Sequence, residues 1–399
     1  MSLNHPRRRF IRGIGTAFVT VAATKWTSKQ AYSQTQQMPQ YAYVGSYTSE
    51  DRNAQGNGIN VYRIDPDSKD WLHIQNIDLV NPSFLASDRT NRFLYSVHAD
   101  GDYASAFAID AQSGQLKLIN QQTTGGTNGV HLAVDQSNGF LVVSNYASGS
   151  MAVLPIASDG SLLPLSDIFE LEGSPGPDLI QQASSHPHHN PFDPEGRFFV
   201  VPDKGFDTVF IFRVDSSNGT LIPAEIPSIA SRPGAAPRHA SFHPTLPYLY
   251  VINEHDSTMA VFEYDSSTGG LNEIQLLTTL PKDFMDYNTT AEVAVHPSGR
   301  FLYGSNRGHN SLVAYSINQM TGMLSPIGWT SSGGERPRYF GIDPSGTQLY
   351  ACNQDTHTII GFAIDQNTGA LSPTGMIVET GSPVTIVFIS SLARATLRQ

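Results

Sequence analysis

A short apolar phrase recurs seven times along the 399-residue chain, and each copy ends in a small or polar pair. The copies occupy residues 42–47, 93–98, 140–145, 198–203, 248–253, 301–306 and 348–353. Their ends lie 47 to 58 residues apart. This spacing is close to that of propeller blades, whose repeats are about 40 to 50 residues long. A single period along the whole chain predicts one continuous wheel, although the length alone would allow two domains.

Each repeat carries a second signal, a tight turn that begins with Asp or Asn and ends with Gly. Clear copies lie at 215–219, 265–269 and 365–369, and weaker ones at 110–114 and 318–322. Asp opens such turns through its side chain, and Gly accepts the positive φ that other residues resist. Each repeat therefore reads as four strands joined by turns and loops. The predicted fold is an all-β, seven-bladed β-propeller with four-stranded blades.

The two ends of the repeat region complement each other. Residues 41–47 resemble the second strand of a blade, yet no innermost strand precedes them. A matching apolar strand occurs near the other end, at residues 383–388. We expect this strand to complete the first blade, so that the closing blade combines one C-terminal strand with three N-terminal strands and leaves no open edge. The propeller would then span residues 41–391, followed by a tail at 392–399.

Residues 1–40 have the pattern of an export signal. Arg7, Arg8 and Arg9 precede Phe10 and Ile11, and Arg12 is followed by a mildly apolar stretch over residues 13–24. This order is typical of bacterial twin-arginine signals. The apolar stretch is too short for a stable membrane anchor. We expect the twin-arginine machinery to export the protein, already folded, to the periplasm.

Charge and cysteine content exclude several classes of partner. The chain has 24 basic and 35 acidic residues, and loss of the leader would leave 18 basic ones and a net charge of about −17. Such a charge repels nucleic acid and anionic lipid alike. The single cysteine, Cys352, falls inside a predicted strand and has no intramolecular disulfide partner. We expect a soluble monomer without nucleic-acid or membrane partners.

The repeats differ most at the beginnings of their innermost strands. These strands end in a turn whose first residue is Asp or His, so His243 and His296 are expected to be turn residues. Four and five residues upstream, the pairs vary: Ser83/Phe84, Val130/His131, His188/His189, Arg238/His239, Ala291/Glu292 and Arg338/Tyr339. The beginning of a strand and the end of its antiparallel neighbour share one edge. The variable pairs should therefore lie beside the ends of the repeated phrases, at one mouth of the central channel.

Charged and imidazole side chains gather at this predicted mouth in blades four to seven. The set is His188, His189, Asp203, Arg238, His239, Glu254, Glu292, Arg307, Arg338 and Gln354. One interpretation is a binding site for an anionic ligand, because guanidinium groups form bidentate hydrogen bonds with carboxylate or phosphate. The other is a set of ion pairs that only joins the blades, for instance between Arg238 and Glu254.

Hydrolysis of a lactone would use these residue types, since it needs a base for water and donors for the developing oxyanion. His188 or Glu254 is the candidate base, and Arg238 and Arg307 are the candidate oxyanion donors. The remaining candidates are substrate-binding residues: His239, Glu292, Arg338, Asp203 and Gln354. No Gly-x-Ser-x-Gly nucleophile motif occurs. The run 186–189, His-Pro-His-His, is a weaker candidate for a metal site, because proline constrains it and no clear carboxylate partner is present, and we expect neither metal nor cofactor.

Several motifs resemble the seven-bladed lactonase family, which includes 6-phosphogluconolactonase and carboxy-cis,cis-muconate cyclase. They are Ala-Pro-Arg-His at 236–239, Tyr-Val-Ile-Asn-Glu at 250–254, Asn-Arg-Gly at 306–308 and Arg-Pro-Arg at 336–338. The resemblance covers residues 41–390 and implies active-site roles for His188, Arg238, Glu254 and Arg307. It implies a lactone hydrolase of carbohydrate metabolism.

This chain departs from the family in two respects. Many members have Asp-Leu-Gly where this chain has Asp203-Lys204-Gly205, so Lys204 either adds a cation to the pocket or points to solvent. An exported member would also not meet a phosphosugar, which favours an unphosphorylated aldonolactone or another acidic lactone. Two alternatives stay open: a lactone-forming cycloisomerase acting on a carboxylated muconate, and a non-catalytic binding propeller.

Overall fold

The computed structural model describes residues 39–390, which form seven antiparallel sheets arranged as the blades of a propeller. The predicted tail and residues 1–38 of the predicted leader lie outside the described residues, and the first strand begins at Pro39, inside the predicted leader. The strands of the first three blades are β1 Pro39–Ser46, β2 Ile59–Ile64, β3 Trp71–Ile77, β4 Pro82–Ser87, β5 Phe93–His98, β6 Tyr103–Ile109, β7 Leu116–Thr123, β8 Gly129–Val134, β9 Phe140–Asn145, β10 Ser150–Pro155 and β11 Asp167–Glu170.

The remaining strands continue the same order. They are β12 Phe199–Asp203, β13 Thr208–Asp215, β14 Thr220–Ala230, β15 Pro237–Phe242, β16 Tyr248–Asn253, β17 Thr258–Tyr264, β18 Leu271–Thr278, β19 Thr289–Val295, β20 Phe301–Arg307, β21 Ser311–Ile317, β22 Leu324–Ser331, β23 Pro337–Ile342, β24 Gln348–Asn353, β25 Thr358–Ile364, β26 Leu371–Glu379 and β27 Pro383–Ser390. A single turn of 3-10 helix, Glu50–Arg52, follows β1. Within residues 39–390, no helix has the length and apolar character to cross a membrane.

The wheel closes as the sequence predicts. Strand β27 pairs with β1, and the order in the first sheet is β27-β1-β2-β3. The C-terminal strand is therefore the innermost strand of the first blade, and the three N-terminal strands complete it. Pairing the two ends removes the open strand edges that a linear stack of blades would expose.

The fourth blade is less regular than the sequence predicts. Its sheet contains only β12, β13 and β14, and the innermost segment is held by isolated bridges from Pro187 to Asp203 and from Phe192 to Phe199. Proline has no backbone N–H, so Pro187 and Pro191 cannot donate to a regular ladder. This irregular segment carries His188 to the centre of the wheel.

Recurring tyrosine contacts join neighbouring blades. The hydroxyl of Tyr43, Tyr95, Tyr250 and Tyr303 donates to the carbonyl of the turn glycine in the next blade, Gly114, Gly160, Gly322 and Gly369 respectively. The repeated phrase and the glycine turn, which were separate signals in the sequence, are thus two halves of one inter-blade contact. The apolar core also lies between blades, as in the buried cluster that contains Ile252 of β16 and Leu302 of β20.

We expect Tyr250→Phe to lower the free energy of unfolding by about 1 to 2 kcal/mol, because the buried Gly322 carbonyl would lose its donor. The bond it removes is 3.0 Å long. Urea unfolding of the variant and of Tyr287→Phe, an exposed tyrosine, gives the comparison. Equal midpoints for the two variants would show that the contact does not hold the blades together.

The two turn histidines have the structural role that the sequence predicts. His243 Nδ1 accepts hydrogen bonds from the backbone N–H groups of Thr245 and Leu246, and its Nε2 lies 2.8 Å from the carbonyl of Gly299. His296 Nε2 contacts the carbonyl of Gly346 in the same manner. These contacts close the turn and reach the next blade, and neither histidine lines the cavity at the channel mouth.

Candidate active site

One ring of positions at the mouth of the central channel takes one residue from each blade. Its members are the last residue of the first repeated phrase, Tyr47, and the residue directly after each of the other six, Ala99, Tyr146, Lys204, Glu254, Arg307 and Gln354. Tyr47, Tyr146, Lys204, Glu254 and Arg307 line the main cavity. A second ring comes from the beginnings of the innermost strands, at the same edge of each blade. In five blades the register of that strand skips one residue near its start, at Ser83, Val130, Arg238, Arg338 and Val384, and in the sixth blade it skips Ala291 and Glu292. Such bulges turn a side chain out of the sheet, here toward the mouth.

Glu254 is the centre of a buried cluster of cations. Its Oε1 lies 2.9 Å from Lys204 Nζ, and its Oε2 lies 3.0 Å from Arg238 Nε and 3.1 Å from Arg307 Nη2. The Arg238 contact is an ion pair without hydrogen-bond alignment. The three cations come from blades four, five and six. The inter-blade ion pairs considered from the sequence are therefore present, and they lie at the mouth of the channel.

Backbone carbonyls fix the two arginines of this cluster. Arg238 Nη1 donates to the carbonyl of Ala291 at 2.7 Å, and Arg307 Nε and Nη2 donate to the carbonyl of Thr290 at 3.2 and 2.5 Å. Lys204 Nζ also lies 5.4 Å from the centre of the Tyr146 ring. Lys204 is thus buried in the cluster and does not point to solvent, which resolves the alternative left open by the sequence.

The cluster makes Glu254 a permanent anion. Burial alone would raise the pKa of Glu254, but the charges of Lys204, Arg307 and Arg238 outweigh burial and hold that pKa well below its usual range. Burial lowers the pKa of Lys204, and Glu254 opposes that shift. A carboxylate stabilised by three cations is a poor proton acceptor, so the structure disfavours Glu254 as the general base.

His188 is the better candidate for the base. It lines the cavity at the mouth, and its Nδ1 lies 3.2 Å from His239 Nε2. Burial, together with the charges of Arg238 and Lys204, lowers the pKa of His188 well below its usual range. The imidazole is therefore neutral at pH 7, and its Nε2 makes no hydrogen bond to any residue between 39 and 390.

His239 and Glu292 lie below the mouth, inside the channel. Neither lines the main cavity, and His239 Nδ1 lies 3.1 Å from both carboxylate oxygens of Glu292. Rings from other blades pack around them: the centroids of His189 and His239 are 4.2 Å apart, and those of His131 and His189 are 3.9 Å apart. The channel below the mouth is thus filled by stacked rings. His239 borders the small recess at the floor of the cavity, whereas Glu292 lines neither space, and contact of either residue with the substrate stays a prediction.

The cavity at the mouth has a volume of about 740 Å³. His188, Lys204, Glu254 and Arg307 line it together, and three exposed carboxylates, Asp178, Glu335 and Asp355, stand at its outer part. A recess of about 10 Å³ at the floor is lined by His188, Arg238 and Arg338 among others. Of the four residues that the family resemblance marked as catalytic, His188, Glu254 and Arg307 line the cavity, and Arg238 lines the recess at its floor.

Arg338 and Tyr47 form one side of the cavity. The Arg338 guanidinium lies 5.3 Å from the centre of the Tyr47 ring, and no carboxylate within residues 39–390 forms an ion pair with it. A neighbouring space of about 370 Å³, which we call the arginine side pocket, is lined by Tyr47, Arg52, Asn53, Arg336, Arg338, Gln354 and Asp355. Gln354 thus lies in the side pocket, and Arg338 borders both spaces.

Asp203 does not line the cavity, contrary to the substrate-binding role predicted from the sequence. Its side chain is fully buried and accepts hydrogen bonds from the backbone N–H groups of His186, Gly205 and Phe206. The equivalent asparagines of other blades also bond to local structure, as Asn145 does to the Thr124 carbonyl. The last residue of the repeated phrase is therefore structural, and the residue after it faces the mouth.

The three histidines of the run 186–189 have separate partners. His186 Nδ1 contacts the carbonyl of Tyr146, His188 contacts His239, and His189 Nδ1 accepts from the backbone N–H of Ala240. Among residues 39–390, no group of three or more His, Cys, Asp or Glu side chains is arranged to hold a metal ion.

Fold and site together define a seven-bladed propeller with a cationic small-molecule cavity at one mouth of its channel. The family model for the seven-bladed β-propeller lactonases matches residues 41–388. The chain belongs to this lactonase family.

Two relatives and one solved structure show how similar the chain is to known members. It is 34% identical over 305 residues to a 6-phosphogluconolactonase of Bacillus subtilis, which covers 75% of this chain and 84% of the relative. It is also 34% identical over 326 residues to a 6-phosphogluconolactonase of Formosa agariphila, covering 75% and 86%. A periplasmic gluconolactonase of Pseudomonas aeruginosa superposes with a TM-score of 0.81 at 28% identity, covering 88% of this chain and 99% of that one.

Proposed function

We propose that this protein is a lactone hydrolase of carbohydrate metabolism that opens a sugar or acidic lactone to the free acid in the cavity at the channel mouth. The observation that carries the proposal is the convergence of a neutral imidazole, His188, with buried cations around one space of about 740 Å³. Lactone hydrolysis needs both a base and positive charge at the carbonyl oxygen. Membership of the lactonase family supports the same reaction.

Each group in the cavity would have a distinct task. His188 Nε2 accepts a proton from the attacking water, whose oxygen forms the new bond to the lactone carbonyl carbon. Lys204 and Arg307 line the cavity and retain N–H donors beyond those that contact Glu254, so they stabilise the oxyanion. Glu254 holds the cations in place and offsets their mutual repulsion. When the tetrahedral intermediate collapses, the bond between the carbonyl carbon and the ring oxygen breaks, and the proton taken up at His188 passes to that oxygen.

Arg338 suggests what else the substrate carries. Arg238 and Arg307 are already paired with Glu254, whereas Arg338 borders the cavity and the arginine side pocket with no acidic partner in the described chain. A guanidinium that borders a cavity and has no acidic partner can form bidentate hydrogen bonds with a carboxylate or a phosphate of a ligand. A lactone with a second anionic group would therefore place that group beside Arg338 and its carbonyl beside His188.

We expect Arg338→Met to raise the KM for an anionic lactone about tenfold or more and to leave kcat nearly unchanged, because the lost contact is made equally in the ground and transition states. The KM for uncharged glucono-δ-lactone should change little. Arg63→Met, which alters an exposed arginine on β2, is the matched control. A KM that rises equally for charged and uncharged lactones would contradict the assignment.

The cellular location bears on the identity of the anionic group. The twin-arginine pattern at residues 7–12 supports export to the periplasm, and the Pseudomonas relative is described as periplasmic. Export would separate the protein from cytoplasmic phosphosugars. We therefore favour an unphosphorylated aldonolactone or a carboxylate-bearing lactone as the substrate.

A proton-release assay tests the proposal. The purified protein is given glucono-δ-lactone, its 6-phosphate and a carboxylate-bearing sugar lactone, with each rate corrected for spontaneous opening. Hydrolysis of at least one lactone above the spontaneous rate is expected. No hydrolysis of any of them, combined with cyclisation of a carboxylated muconate, would instead identify a cycloisomerase.

A further inference from the structure

His188 presents a chemical difficulty as a lone base. A proton taken up at Nε2 would leave a positive imidazolium in a buried site. Burial and the charges of Arg238 and Lys204 already lower the pKa of His188 well below its usual range. The pKa of His239 is also lowered well below its usual range, by burial and by the neighbouring His189 and Arg238. A positive charge on either ring is therefore strongly disfavoured.

The carboxylate of Glu292, which contacts His239, can take up the proton so that neither imidazole becomes positively charged. We propose that Glu292 is the final acceptor of a proton relay, in which His188 takes the proton of the attacking water and His239 passes the charge on to the Glu292 carboxylate. The proposal rests on the lactonase function and assigns a role to two residues that do not line the main cavity. His239 and Glu292 are positioning residues in this scheme, since they act through His188.

The distances define the direction of the relay. An ionised carboxylate can only accept, so His239 Nδ1 donates to Glu292 at 3.1 Å. His239 Nε2 then carries no hydrogen and accepts from His188 Nδ1 at 3.2 Å. His188 Nε2, which has no hydrogen-bond partner within residues 39–390, is left with a free lone pair. Contacts among His188, His239 and Glu292, from three successive blades, thus favour the His188 tautomer with hydrogen on Nδ1, which is the one that can act as a base.

The transfer balances without a charged imidazole. The O–H bond of water breaks as its oxygen bonds to the carbonyl carbon, and its proton goes to His188 Nε2. The Nδ1 proton of His188 moves to His239 Nε2, and the Nδ1 proton of His239 moves to a Glu292 oxygen. Both rings end neutral, and Glu292 ends protonated. The same steps in reverse deliver the proton to the leaving alkoxide.

The surroundings of Glu292 suit an acceptor that works near neutral pH. Burial raises the pKa of Glu292 to about 8, while Arg238 and the Val293 N–H oppose that rise. The groups that face it from the neighbouring strands are Arg238 and His239 on β15, Tyr339 on β23 and Cys352 on β24. Burial, with Glu292 contributing, raises the pKa of both Tyr339 and Cys352, so neither is charged near pH 8. Activity should rise as the pH increases through about 8.

Protonation of Glu292 reverses the chain of hydrogen bonds. The neutral acid donates to His239 Nδ1, His239 Nε2 then donates to His188 Nδ1, and His188 Nε2 carries a hydrogen. In that state His188 is a donor and not a base. The two tautomers of His188 can be told apart by the ¹⁵N chemical shift of Nε2 in NMR, a readout that needs no substrate.

The test uses Glu292→Gln, which keeps the shape and cannot take up a proton. We expect kcat to fall by about 10² to 10³ with an unchanged KM and with no rise through pH 8. In the wild type the Nε2 signal of His188 should switch tautomer near that pH, and in the variant it should not. Cys352→Ala, which alters a neighbour of Glu292 on β24, is the matched control and should keep both the switch and the pH profile.

The NMR and kinetic arms separate the two hypotheses. A His188 tautomer that does not change with pH in the wild type would overturn the relay whether or not any lactone is hydrolysed. A Glu292→Gln variant with the wild-type kcat and pH profile would overturn it as well. A tautomer switch that disappears in Glu292→Gln would support the relay even if no lactone were hydrolysed, and that absence of hydrolysis would count against the proposed function alone.

Discussion

Replacing Glu254 with glutamine is expected to lower the free energy of unfolding by about 3 to 5 kcal/mol, because it leaves three buried cations without their shared counter-ion. The side chains of Lys204, Arg238 and Arg307 are 4%, 2% and 5% exposed, so water cannot replace the lost carboxylate. Lactone hydrolysis should fall below detection, since the oxyanion donors would repel one another out of position. Urea unfolding and proton release measure the two effects.

The effect of Glu254→Gln on stability should depend on pH in a defined direction. The folded-state pKa of Glu254 lies well below its ordinary value of 4.5. Glu254 thus contributes stability that is fully present above pH 4.5 and is lost as the pH falls through its folded-state pKa. The gap between wild type and variant should be constant near neutral pH and shrink in acid. Glu225→Gln, an exposed glutamate on β14, is the control. Equal stability of the two variants would refute the counter-ion role.

Replacing His188 with glutamine is expected to lower kcat by about 10² to 10⁴, the usual contribution of a general base, with little change in stability. Glutamine fills similar space and can accept the hydrogen bond from His239, but it cannot take a proton from water. Initial rates at saturating lactone measure the effect. His73→Gln, which alters an exposed histidine on β3, should leave kcat at the wild-type value. A His188→Gln enzyme within a few-fold of wild type would exclude His188 as the base.

The fold could be predicted from the sequence because each signal repeats. Seven copies of the phrase, the Gly turns and the unmatched strand at residues 383–388 define the blades and their closure, and the structure confirms them. The irregular fourth blade was not predicted. Its innermost segment forms two isolated bridges to β12 in place of a regular ladder of backbone hydrogen bonds. The prolines at 187 and 191 are the sequence signal for this irregularity, because each removes a backbone N–H donor that a regular strand requires.

The sequence predicts which positions of each blade lie at the channel mouth, but not which partner each side chain contacts. Comparing the blades correctly placed Glu254 and Arg307 one residue beyond the phrase, and the same register would have placed Lys204 beside them. The roles of Asp203, His239 and Glu292 depend on which neighbour each side chain reaches. Asp203 bonds to the backbone of its own turn, and His239 and Glu292 bond to each other inside the channel. Such pairings depend on the spacing of blades, which no single repeat encodes.

The central claim is that the cations and imidazole at the channel mouth hydrolyse a lactone. The most direct measurement is proton release by the wild-type protein and by Arg307→Ala, with glucono-δ-lactone and its 6-phosphate, each corrected for spontaneous opening. We predict hydrolysis by the wild type and a loss of about 10² to 10³ in kcat for the variant, the usual effect of removing an oxyanion donor. Equal rates for the two proteins, or rates no greater than spontaneous opening, would contradict the account.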